Sequence, residues 1–151
     1  MTIMFRLTVS RALTVADVVA AFMDLMPPGL RVAVRPDGAD VPDDVESLSL
    51  WAGLKPTEDQ AWPLDLEVYV YEFDLGPYPD LRAAEHVAER LGVDVLCGVC
   101  PSLVDVDPRD PYYALALVGG RWHLASTAWT RLTGPYTEPV KLIRPVVVDT
   151  R

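Results

Sequence analysis

The sequence predicts an α+β fold: a mixed β-sheet built from two strand–helix–strand units, followed by a C-terminal β-hairpin. Three observations carry this. Runs of alternating apolar and polar residues flank two stretches of helical spacing. Each helical stretch ends on a stop signal, Pro27-Pro28-Gly29 for the first and Gly92 for the second. Gly119-Gly120 separates two apolar runs at the length of a tight hairpin.

In the first unit Ile3, Phe5, Leu7 and Val9 alternate with Met4, Arg6 and Thr8, the period of a half-buried strand. Val15, Val18, Val19, Phe22, Leu25 and Met26 then fall at helical spacing behind Thr14. Thr14 with Asp17 fits a capping pair, with the acid near the positive end of the helix. Leu30 to Arg35 alternates again. The stretch 36–44 is an acidic turn region, Val45–Trp51 reads as a short strand, and 52–63, with Gly53, Pro56 and Pro63, reads as loop.

The second unit opens on the clearest strand, where Leu64, Leu66, Val68 and Val70 alternate with Asp65, Glu67, Tyr69 and Tyr71. A helix over 80–91 follows, with Leu81, Ala84, Val87, Ala88 and Leu91 on one face, and then a short apolar strand over 93–97. In the hairpin, 112–118 pairs with 121–127, so Leu115 faces Leu124 and Leu117 faces Trp122 on the expected core side. His123 and Ala116 lie on the other side. The last strand candidate, 140–148, contains Pro145 and belongs at an edge. Two such units point to a ferredoxin-like or related sheet with its helices on one face. The chain is read as one domain, 1–151, with an acidic, loop-rich insertion at about 36–63.

Charge is distributed unevenly. The formal net charge is −9, yet 36–80 holds twelve acidic residues against Lys55 alone, and 81–151 is balanced. Such a surface repels phosphate backbones, which argues against nucleic acid, and attracts a basic protein. No apolar run reaches membrane-spanning length, and the N-terminus is strand-like, so no membrane and a cytoplasmic location are expected.

The motifs that could carry chemistry are thin. Cys97 and Cys100 have disulfide or metal-ligand spacing, but Pro101 follows where a thiolate-stabilising helix would have to begin, so both are expected to pack as small hydrophobes. His86 and His123 do not complete a zinc set, and His86 reads as solvent-facing among Glu85, Glu89 and Arg90. Asp105, Asp107 and Asp110 lack the glycine and closing glutamate of a calcium loop. No cofactor is expected.

What remains is a constellation suited to binding. Asp43, Asp44, Glu46 and Glu67 lie in or beside the acidic segment, together with Trp51, Trp62, Tyr69 and Tyr71. Aromatic side chains of this kind anchor interfaces, and carboxylates around them select a basic partner. The expected function is a non-enzymatic module that presents this surface to a basic protein, an immunity or antitoxin-type inhibitor being the concrete form. The alternative is a small thiol-redox or hydrolytic enzyme using Cys97 and Cys100 or His123.

Overall fold

The computed structural model describes residues 2–40, 44, 47–71, 74–99, 102–107, 109, 112–127 and 140–149. In chain order the elements are β1 (Thr2–Val9), α1 (Val15–Leu25), β2 (Val32–Arg35), β3 (Leu50–Pro56), β4 (Leu64–Tyr71), α2 (Pro79–Leu91), β5 (Val95–Gly98), β6 (Tyr113–Val118), β7 (Arg121–Ser126) and β8 (Lys141–Pro145). The strands form one mixed sheet in the order β2-β3-β4-β1-β5-β6-β7-β8. All neighbours are antiparallel except β2 and β3. Helix α1 therefore carries the chain from β1 past β4 and β3 to the edge strand β2. Helix α2 carries it from β4 across β1 to β5.

Strand alternation decides which face each helix covers. Phe5, Leu7 and Val9 of β1, Leu50, Ala52 and Leu54 of β3, and Leu64, Leu66, Val68 and Val70 of β4 are all buried. They form one core with Val18, Ala21 and Phe22 of α1 and with Leu81, Ala84 and Val87 of α2. Both helices thus cover the same face. Phe22 is fully buried, which for a side chain of its size contributes about 1.5–3 kcal/mol.

The termini of the helices follow the local chemistry. Thr14 and Asp17 form a reciprocal capping box, each side chain 3.1 Å from the other's backbone nitrogen. These hydrogen bonds hold the Asp17 carboxyl below its ordinary range. Gly92 ends α2 with a φ of 64°, the left-handed conformation glycine adopts without strain.

The hairpin matches its expectation in register and twist. Leu115 pairs with Leu124, Leu117 with Trp122 and Ala116 with His123. Gly119 and Gly120 have φ of 57° and 78°, the mirror-image turn that follows the strands' own twist. Trp122 is buried on the helix side and donates its indole N–H to Glu85 Oε1 at 3.0 Å.

Three expectations need correction. The region 52–63 is not simply loop, since β3 runs through Pro56 and pairs along its length with β4. Leu50, Ala52 and Leu54 keep the two-residue period there, and Gly53 leaves room for a neighbouring ring rather than breaking the strand. His86 is half-buried rather than solvent-facing, and its Nε2 is enclosed without a hydrogen-bond partner among the described residues. The last strand spans only Lys141–Pro145. It lies at the sheet edge, with a register irregularity between Leu124 and Ala125 of its partner strand.

Candidate functional site

Among the described residues the second face of the sheet carries no helix, and its side chains fall into cross-strand rows fixed by the register. The first row is Ala33, Trp51, Tyr69 and Met4 across β2, β3, β4 and β1. Trp51 and Tyr69 are half-buried with ring centroids 5.0 Å apart and planes tilted by 53°. A Cβ on Gly53 would come within 3.4 Å of Trp51 Cη2, so the indole lies along the strand over that glycine. Trp51 Nε1 is buried and has no hydrogen-bond partner among the described residues. Met4 ends the row with 59% of its surface exposed. Tyr71, one pair further along β4, is half-buried on the same face. Burial and the neighbouring Tyr69 raise its hydroxyl pKa.

The next row is Arg35, Gly53, Glu67 and Arg6. Glu67 Oε1 accepts from Arg6 Nη2 at 2.8 Å and from Lys55 Nζ at 3.1 Å. Burial pushes the Glu67 carboxyl up, but bonds from Lys55 and Arg6 outweigh this and hold it below the usual carboxylate range. Glu67 is therefore the shared counter-ion of two cations.

Beyond it lies the row Lys55, Asp65, Thr8, Leu96, Ala116 and His123. Thr8 donates to Asp65 Oδ1 at 2.6 Å. Here the loop from Thr57 to Trp62 folds back over the face. Thr57 accepts from Asp59 N and donates to Trp62 O, while Asp59 Oδ1 accepts from the backbone nitrogens of Ala61 and Trp62 at 2.8 and 3.2 Å. Trp62, so positioned, is 8% exposed and packs on Leu96, Ala116 and Ala125, a small second core. The alanine-rich face of the hairpin is the bed for this tryptophan. A groove of about 680 Å³ opens between the loop and the sheet. Its lining includes Arg6, Thr8, Lys55, Asp65, Trp62 and Leu96.

The structure thus gathers Trp51, Tyr69, Tyr71 and Glu67 on one face and sets Trp62 apart, across β1, in a cluster of its own. Asp44 is exposed and bonded to Arg31 Nη2 at 2.6 Å, and the Arg31 guanidinium holds its carboxyl below the ordinary value. Asp43 and Glu46 lie outside the described residues. Among the described residues, Trp62 and Asp44 stand apart from Trp51, Tyr69, Tyr71 and Glu67. On the four-strand half of the open face Arg35, Lys55 and Arg6 stand against Glu67 and Asp65, while Asp37, Asp40 and Glu58 are exposed in flanking loops. Sequence reasoning missed Arg6, Thr8, Lys55 and Asp65. Only the strand register brings Lys55 and Arg6 onto Glu67, and no local pattern marks it.

At the alternative centres, Cys97 is a free, buried thiol on the helix side of β5. Burial pushes its pKa well above the ordinary thiol value, and the charges of Asp80 and Glu85 add to this. Cys100 lies outside the described residues. His123 is half-buried, and its Nδ1 donates to Arg121 O at 3.0 Å. No set of three or more His, Cys, Asp or Glu among the described residues could hold a metal ion. Among the same residues no helix is long and apolar enough to cross a membrane. No protein-family model matches the chain, and no curated protein or solved structure is significantly similar to it.

Proposed function

We propose that this protein is a binding module that docks a basic protein partner on the helix-free face of its sheet, in the manner of an immunity or antitoxin-type inhibitor. The observation that carries the reading is the row Trp51, Tyr69 and Met4, which stays half-open on the face that no helix covers among the described residues. Tryptophan and tyrosine give large, rigid contact area, and a partner covering the row would bury Met4 with them. The net charge of −9 draws in a basic protein and speeds its arrival. On this reading the carboxylates that meet the partner are the exposed ones at the rim, Asp37, Asp40, Asp44 and Glu58. Glu67 acts one step behind, by fixing Lys55 and Arg6. We also read β5-β1-β4-β3 with the two helices as a ferredoxin-like frame, in which β3 takes the strand position beside β4 and β2 is displaced to the edge. The split strand–helix–strand connections support that assignment.

The experiment is affinity capture with the wild-type chain beside a Met4→Asp, Tyr69→Ala variant, scored on proteins of high isoelectric point. The proposal expects one basic protein to bind the wild type and be lost from the folded variant. A basic partner retained by the variant would remove the open face from the interaction.

A further inference from the structure

The groove beside Trp62 is built differently from the aromatic row. It is walled by the 57–62 loop on one side, by β1, β3, β4 and β5 on the other, and by Thr127 and Val140. Its volume of about 680 Å³ lies within the range of small-molecule sites. Arg6 Nη2 and Lys55 Nζ sit on the same Glu67 oxygen, at 2.8 and 3.1 Å, so they are less than 6 Å apart. Two cations share one carboxylate, which leaves a positive excess at this end. Both side chains are more than half exposed and keep further N–H donors. Asp65 also lines the groove, and among the described residues its Oδ1 accepts from the neutral hydroxyl of Thr8. Although Asp65 is the cross-strand partner of Lys55, no ion pair joins them. Glu58 adds an exposed carboxylate on the loop side. Asp59 is already committed to the backbone nitrogens of Ala61 and Trp62. Trp62 and Leu96 supply an apolar wall.

One cavity therefore presents two cations that share a single carboxylate, a carboxylate bonded by a neutral hydroxyl, and an apolar surface. A simple anion would be repelled by Asp65 and Glu58, and a simple cation by Arg6 and Lys55. A molecule carrying both charges satisfies both ends. We propose that the groove binds an amino-acid-like zwitterion with an apolar body, a free amino acid or a short peptide. Its carboxylate lies between Arg6 and Lys55, its ammonium at Asp65, and its side chain against Trp62 and Leu96. Glu67 serves as the positioning residue, holding both cations in place before the ligand arrives. The groove shares Arg6, Lys55 and Glu58 with the face proposed to dock a protein, but its small ligand needs no protein partner to bind.

The test uses the full chain labelled with ¹⁵N and four probes: leucine, leucyl-leucine, N-acetyl-leucine and leucinamide. The first two carry both charges, the third only the negative and the fourth only the positive. The expected result is saturable shifts at Thr8, Leu96 and the Trp62 indole with the zwitterions, and at least about fivefold weaker binding of each singly charged analogue. Tighter binding of leucyl-leucine than of leucine would assign the groove to peptides, and the reverse to free amino acids. Lys55→Gln and Asp65→Asn should each weaken zwitterion binding by about threefold to fivefold. Lys55 is exposed and Asn keeps the acceptor for Thr8, so both variants should fold. N-acetyl-leucine or leucinamide binding as well as leucine would overturn the proposal, as would shifts that ignore both substitutions or the absence of saturable shifts with any probe.

Discussion

The two faces of the sheet are made by the same strands and differ in almost every physical respect. In β4, Leu64, Leu66, Val68 and Val70 are buried under two helices. Asp65, Glu67, Tyr69 and Tyr71, which alternate with them, are half-buried on the opposite side. The helix side is aliphatic and closed. The other side mixes rings, ion pairs and a groove, and among the described residues it is closed where Trp62 lies on Leu96, Ala116 and Ala125. A two-residue period thus lets one strand serve stability with one set of side chains and leaves the other set free for contacts.

Substitutions on the two faces should separate accordingly. The largest effect belongs to Trp122→Ala on the helix side. It should destabilise the protein by about 3–5 kcal/mol in denaturant unfolding, because it opens a cavity and removes the indole bond to Glu85. Trp62→Ala should follow at about 3 kcal/mol, since it uncovers the alanine bed. A loss below about 1 kcal/mol would mean that the whole second face is open and the comparison must be redrawn. Gly120→Val should destabilise the hairpin by about 1–3 kcal/mol, because a β-branched residue resists the positive φ found there. Tyr69→Ala should fall below about 1 kcal/mol, the scale of a cross-strand pair, and a larger loss would place Tyr69 among the core residues.

The smallest effect is a pH dependence at the first turn of α2. Burial raises the Asp80 carboxyl above its ordinary value, against the bond from Leu81 N. A raised carboxylate binds its proton more tightly in the folded state. Wild-type stability is therefore lowered as pH rises through and above the ordinary carboxylate range. Asp80→Asn, which keeps the acceptor for Leu81, should gain on the wild type as pH rises through and above the ordinary carboxylate range. A gap that stays constant over that range would contradict the assignment.

The closed face was legible in the sequence, and the open one only in part. Alternation in 64–71, helical spacing behind Thr14 and the Gly119-Gly120 pair are local signals, and local structure follows them. β3 was misread because Gly53 and Pro56 are local breakers, whereas pairing with β4 and the Trp51 ring over Gly53 are not local at all. The same reason hides the Arg6–Glu67–Lys55 contact, whose members are 61 and 12 residues apart in sequence. Trp62 sits among acidic residues in the chain, so its sequence neighbours suggested an exposed anchor. The turn made by Thr57 and Asp59 carries it instead to a bed on β5, β6 and β7.

The central claim is that the helix-free face is the docking surface, and an NMR map of the bound protein tests it most directly. A captured basic partner, purified and added unlabelled to the ¹⁵N-labelled chain, should shift or broaden Met4, Trp51 and Tyr69 and leave the exposed helix residues Met23 and Glu89 unmoved. Perturbations centred on α1 and α2, with the aromatic row unchanged, would contradict the account.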